Sequence, residues 1–139
     1  MLKNLLIAVL TFSLTGCGAG KLVGTPPVLD SDNYATVNIA RPSGYAGCGV
    51  RMTIQIDYTD FYWLACGECL SFKVPSGKPI TISQTSSTQP DHIEIEPEKG
   101  RNYFLENDCN GWACWLHEAT QSKYKNVARG CKEHITVPN

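Results

Sequence analysis

The feature that most constrains the fold is alternation, because between residues 35 and 96 nearly every stretch outside the turn-forming clusters puts an apolar side chain at every second position. Ala35, Val37 and Ile39 alternate with Thr36 and Asn38, and Met52, Ile54, Ile56 and Tyr58 alternate with Arg51, Thr53, Gln55 and Asp57. Leu70, Phe72 and Val74 follow with Ser71 and Lys73 between them, then Ile80 and Ile82, then Ile93 and Ile95 between glutamates. Successive side chains of a strand point to opposite faces, so each run reads as a strand with one buried face. Turn chemistry separates the runs: the Pro, Ser and glycines of 42–49, Thr59-Asp60 ahead of Phe61-Tyr62-Trp63-Leu64, Pro75-Ser76-Gly77-Lys78, the polar stretch 84–90, and Pro97-Glu98-Lys99-Gly100 ahead of 102–105. Six or seven short strands at near-regular spacing, rich in β-branched residues, predict an all-β fold, a small antiparallel β-sandwich of Ig-like or transthyretin-like kind, or a small barrel. Beyond Asn107 the alternation weakens, and 119–128 is left between a short helix and a last irregular strand.

The amino-terminal residues follow a different rule. Lys3 precedes an apolar run from Leu5 to Leu14, broken by Thr11 and Ser13, and the run ends in Leu14-Thr15-Gly16-Cys17. This is the layout of an export signal. A helix needs roughly 20 apolar residues to span the hydrocarbon core, about twice what this run supplies, so it does not serve as a lasting span. Leu14-Thr15-Gly16-Cys17 resembles the lipobox of bacterial lipoproteins, where diacylglycerol is placed on the cysteine thiol and a peptidase then cuts before that residue. The resemblance implies a signal peptide over 1–16 and diacylglycerol and palmitate-type acyl chains on Cys17, a membrane attachment that two chains make stable. An ordinary secretory signal cut after Ala19 or Gly20 is the alternative. Gly18, where an Asp would favour retention in the inner membrane, resembles the pattern of lipoproteins sent to the cell outer membrane, and implies a domain facing the periplasm. Residues 17–33, rich in Gly, Pro, Ser and Asp, read as the lipidated cysteine and a flexible tether, with the folded domain over 34–139.

Charge excludes one class of partner. The chain carries 12 basic and 13 acidic side chains, a net formal charge of −1, with no basic run. Tracking a nucleic-acid backbone requires clustered cations, so nucleic acid is not an expected partner. The seven cysteines leave an odd one in any full pairing. Assigning Cys17 to lipid leaves Cys48, Cys66, Cys69, Cys109, Cys114 and Cys131, which in an oxidising compartment predict three disulfides bracing a small domain. Cys109 and Cys114 flank Asn110-Gly111-Trp112-Ala113, a turn-forming insert able to bring the two together. Cys66 and Cys69 flank Gly67-Glu68, and they face opposite ways in a straight strand, so they bond to each other only across a turn. Cys48 and Cys131 would then form the long-range pair, other connectivities staying open.

A second resemblance is carried by Ala35-Thr36-Val37-Asn38-Ile39-Ala40-Arg41-Pro42-Ser43-Gly44-Tyr45-Ala46-Gly47, a strand ending Ile56-Asp57, Phe72-Lys73-Val74-Pro75-Ser76-Gly77-Lys78 leading into Ile80-Thr81-Ile82, and Glu98-Lys99-Gly100-Arg101-Asn102-Tyr103-Phe104. This succession is similar to the DUF2846 family of small bacterial domains, many of them on lipoproteins, over residues 35 to 106. The resemblance implies a β-sandwich and no active site. The six domain cysteines and the carboxy-terminal third depart from that pattern.

Chemistry-bearing residues admit sharper readings. Cys66-Gly67-Glu68-Cys69 has the spacing of a redox motif, yet it lies among strands rather than at a helix N-terminus. The same two cysteines with Cys109 and Cys114, or with His92, His117 or His134, draw a zinc site only across long spacings in an oxidising compartment. Ser43-Gly44-Tyr45-Ala46-Gly47-Cys48-Gly49 is glycine-rich, but a phosphate cradle needs a helix after it and a strand follows; as a loop it offers Tyr45 to a partner. Asp91-His92 lacks a nucleophile setting. Trp112 and Trp115 around a bridge, and Tyr58, Phe61, Tyr62 and Trp63, read either as core or as an aromatic patch for a protein or glycan. The expectation is a non-enzymatic lipoprotein without cofactor or metal, attached to the membrane through Cys17, whose domain binds or braces an envelope protein or glycan. The alternative is an envelope thiol-redox or metal-handling protein using Cys66 and Cys69.

Overall fold

A computed structural model describes residues 20–30, 32–44, 48–85, 91–110 and 113–139. Among these residues ten strands and one helix follow in order: β1 (Lys21–Leu22), β2 (Tyr34–Arg41), β3 (Met52–Ile56), β4 (Thr59–Leu64), β5 (Glu68–Pro75), β6 (Ile80–Thr85), β7 (Asp91–Ile95), β8 (Asn102–Cys109), β9 (Cys114–Glu118), α1 (Gln121–Ala128) and β10 (Glu133–Thr136). They form two five-stranded sheets, β1-β4-β3-β6-β7 and β10-β5-β2-β8-β9. Alternating residues of both sheets meet in one core: Ala35, Val37 and Ile39 of β2, Leu70, Phe72 and Val74 of β5, and Leu105 of β8 face Met52 and Ile54 of β3, Leu64 of β4 and Ile82 of β6. The rings of Phe61 and Phe72, one from each sheet, lie 4.8 Å apart. The chain is a small disulfide-braced all-β sandwich, as the alternation predicts.

Antiparallel pairs dominate, but β2 runs parallel to β8 and β5 parallel to β10. Parallel neighbours require crossovers. The second of these pairs is reached from β9 through α1. Thr120 caps that helix, its hydroxyl accepting from the Lys123 amide. The helix lies on the outer face of the second sheet, where Ala40 and Cys69, adjacent across β2 and β5, pack with Ala128, Tyr124, Val127 and Cys131. Buried Glu106 of β8 binds it from below, its carboxylate 3.1 Å from Lys123 Nζ and 3.3 Å from His117 Nε2. The segment left open between helix and strand is thus helical over 121–128.

Two further expectations are corrected. The turn after β3 falls at Asp57-Tyr58 and not at Thr59-Asp60: both residues have positive φ, 49° and 63°, the mirror-image geometry that matches the twist of a two-residue hairpin. The stretch read as a tether also contributes to the sandwich. Lys21 and Leu22 pair with Trp63 and Tyr62 of β4, and the amides of Val23 and Gly24 both donate to the Phe61 carbonyl. This edge offers unpaired backbone groups, which a passing segment satisfies whatever its composition.

Candidate functional site

The strands of both sheets run between the same two ends of the sandwich, so the described loops gather at two poles. At one pole lie the Asp57-Tyr58 turn, the Gly77 turn and the Gly100 turn, the last two with φ of 97° and 75° where glycine is required. There the amide of Gly77 donates to the Pro97 carbonyl, the amide of Gly100 to that of Tyr34, and Ser76 Oγ to Asn33 Oδ1 at 2.7 Å. The Val-Pro-Ser-Gly-Lys piece is therefore a turn that joins the sheets.

The opposite pole holds all three disulfides, Cys48–Cys66, Cys69–Cys131 and Cys109–Cys114. The Cys109–Cys114 expectation agrees with the structure. The other pairing does not: Cys66 and Cys69 do not bond to each other, nor do Cys48 and Cys131. A turn does separate Cys66 from Cys69, with Gly67 at a φ of 82° and the Gly67 amide donating to the Arg41 carbonyl. It sends the two sulfurs apart. Cys69, the second residue of β5, faces the outer side of its sheet, opposite to core-facing Leu70, and meets Cys131 just past α1. Cys66, still in the turn, meets Cys48 of the loop after β2. A redox couple needs its two sulfurs to bond to each other; here they belong to separate bridges. Among the described residues no cluster of three or more His, Cys, Asp or Glu side chains is arranged to hold a metal ion.

Between these bridges lies a pair of buried charges that alternation does not forecast. Arg41 ends β2 and Glu68 begins β5, and the two are register partners, each only 4% exposed. Arg41 Nη1 donates to the Leu64 carbonyl and Nη2 to the Val50 carbonyl at 2.7 Å. The Glu68 carboxylate accepts from the Gly20 amide at 2.7 Å and from the Ala65 amide at 2.9 Å. Burial pulls the Arg41 guanidinium below its ordinary value, and Glu68 acts in the opposite direction. A buried charge is tolerable only when compensated, and these two bind main-chain groups from several segments. The pair is a knot for loops. The only sequence signal is an arginine at a position whose parity along Val37 and Ile39 calls for an apolar residue.

The knot also fixes the start of the described chain. A Cβ on Gly20 would come within 2.0 Å of Glu68 Oε2 and 2.4 Å of the Trp63 carbonyl oxygen, so only glycine fits. Immediately after it, Lys21 Nζ lies 4.2 Å from the ring centroid of Trp63, and the Arg51 guanidinium lies 3.6 Å from the same ring. A cavity of about 440 Å³ opens beside them, lined by Arg41, Arg51, Trp63 and the Cys48–Cys66 bridge among others.

The remaining candidates scatter. Phe61 and Tyr62 are core, Trp63 is half-buried on the outer face of its sheet, and Tyr58 is 66% exposed at the far pole. Trp115 is half-buried on β9, and His92 is exposed on β7. His134 is exposed on β10, on the far edge of the other sheet. Ser43 of the Arg-Pro-Ser-Gly piece binds the Gly130 carbonyl through both its amide and its hydroxyl. Cys17, the loop residues Tyr45 to Gly47 and Trp112 lie outside the described residues. No family model, no curated protein and no solved structure matches this chain.

Proposed function

We propose that the chain is a bacterial lipoprotein, held through lipid on Cys17 at the periplasmic side of the outer membrane, whose domain binds or braces another envelope component without catalysing a reaction. One observation carries the reading. The bridges Cys48–Cys66, Cys69–Cys131 and Cys109–Cys114 use every cysteine of the domain, so of the seven in the sequence Cys17 is the odd one. In an exported protein a leftover thiol is a liability, and modification by diacylglycerol removes it. The Arg41–Glu68 knot fits the same reading, because its hydrogen bonds run to backbone and hold loops in place. Lipid-derived anchoring predicts that Cys17→Ser moves the protein from the detergent phase to the aqueous phase on phase separation and delays signal removal. Unchanged partitioning would refute it. Thiol titration of the denatured, unreduced mature domain is expected to find none; two reactive thiols at Cys66 and Cys69 would favour redox or metal handling instead.

A further inference from the structure

We infer that the domain does not stand off the membrane on a flexible tether but rests on it, with Lys21, Trp63 and Arg51 facing the phospholipid headgroups of the leaflet that carries the lipidated Cys17. The inference rests on the lipoprotein reading and adds a contact surface to it. Its first support is distance. Gly20 is clamped, with its amide on Glu68 Oε1 and no room for a Cβ, and the next four residues run along β4. Only Gly18 and Ala19 separate Cys17 from Gly20, three Cα-to-Cα steps that reach about 10 Å when fully extended. Gly20 is therefore held within about 10 Å of the acylated residue, and the side chains around it stay close to the same surface.

The second support is what surrounds it. Two cations lie over one indole ring, Lys21 at 4.2 Å and Arg51 at 3.6 Å, and among the described residues neither forms an ion pair. Both cations are exposed. Two like charges brought to one ring repel each other, and an anion set against both relieves that repulsion. Leu22 and Val23, the next residues, are 43% and 38% exposed. An indole flanked by long basic side chains, with apolar residues beside it, is the chemistry that settles at a membrane interface, where the ring lies at headgroup level and the cations meet phosphates. An anionic phospholipid surface is the occupant that both the charge and the short link specify.

The test uses the full lipidated protein reconstituted into phosphatidylethanolamine–phosphatidylglycerol vesicles, with or without bromine on the upper acyl chain. With Trp112→Phe and Trp115→Phe leaving Trp63 as the sole tryptophan, bromolipid is expected to reduce its emission at least twofold. Quenching should be lost in Lys21→Glu/Arg51→Glu, and also when twelve Gly and Ser residues are inserted between Ala19 and Gly20, while both variants still float with the vesicles. Unquenched Trp63 in a protein that floats overturns the contact and leaves the lipid anchor standing. Failure to float unless Cys17 is replaced by a membrane span overturns the anchor and the contact together. Should the double tryptophan variant misfold, the fraction of quenching lost on Trp63→Phe in the otherwise native chain gives the same answer; no loss overturns the contact.

Discussion

At the scale of single residues, the informative side chains are those that break the pattern. Arg41 and Glu68 occupy core-facing positions, and Gly20 sits in a stretch whose composition reads as linker. Of this the sequence showed only the odd parity of Arg41, because period two says which face a residue takes and not whether the end of the sandwich on that face is dry. The same pole perturbs Tyr62. Burial, aided by the nearby Glu68 carboxylate, pushes its phenol from the ordinary 10 to about 12. A raised pKa in the folded state means that the folded chain holds the proton where the unfolded chain loses it. Stability is then fully present below about pH 10 and falls as pH rises to about 12. Tyr62→Phe keeps the ring and removes the proton. Urea midpoints followed between pH 9 and pH 12 should fall less steeply in this variant than in the parent, and parallel curves would show that the phenol is not the group responsible.

At the scale of elements, what alternation could see it placed well. The strands beginning near Ala35, Met52, Leu70, Ile80 and Ile93 are all present, because each buries one face and the turns between them carry Pro or Gly. It missed β9, β10 and β1 for three different physical reasons. Cys114–Glu118 pairs on an outer edge beside β8, β10 is a parallel edge strand of four residues with little apolar content, and β1 is held by β4's free edge rather than by its own side chains. The β3–β4 hairpin shows a local conflict. Its turn is made by Asp57-Tyr58, both in the left-handed region. Asp57 is suited to it, since the carboxylate accepts from the Thr81 amide at 2.9 Å and its own amide donates to the Thr81 carbonyl. Tyr58 is not, as its side chain is 66% exposed and a left-handed backbone costs a non-glycine residue about 1–2 kcal/mol. Tyr58→Gly should therefore stabilise the domain by about 1 kcal/mol after the extra unfolded-state entropy of glycine is charged against it, read as a higher urea midpoint at unchanged slope. A lower midpoint would mean that the exposed ring makes a stabilising contact that its geometry does not suggest. An aromatic kept at strain on an exposed tip is also where a partner contact would first be sought.

At the scale of the whole molecule, the sandwich is asymmetric between its poles. The pole of Asp57, Gly77 and Gly100 is held by turns and hydrogen bonds between the sheets, while the pole of Arg41 and Glu68 is held by three disulfides and a buried charge pair. The difference has a cause in the chain path. Described loop residues at the bridged pole include 42–44, 48–51 and 65–67; α1 returns to it across the outside of one sheet and β10 starts from it as an edge strand, and the two add few residues to the main core. Segments with little apolar burial are the first to open, and a crosslink limits how far they can go. Cys69–Cys131 closes a span of 62 residues and Cys109–Cys114 one of only 5, so the loop-entropy effect of the first is the larger. Reduction under native conditions should then loosen the molecule from one end. Amide exchange is expected to quicken at Gly67, Lys132 and Glu133, whose hydrogen bonds converge near the severed bridges, and through β10. Asp57, Gly77 and Gly100 should keep the protection of the oxidised protein, because their partners Thr81, Pro97 and Tyr34 belong to turns and strands of the other pole. Uniform loss of protection across both poles would show instead that the disulfides carry the stability of the entire sandwich, and that the hydrophobic core between the sheets does not hold without them.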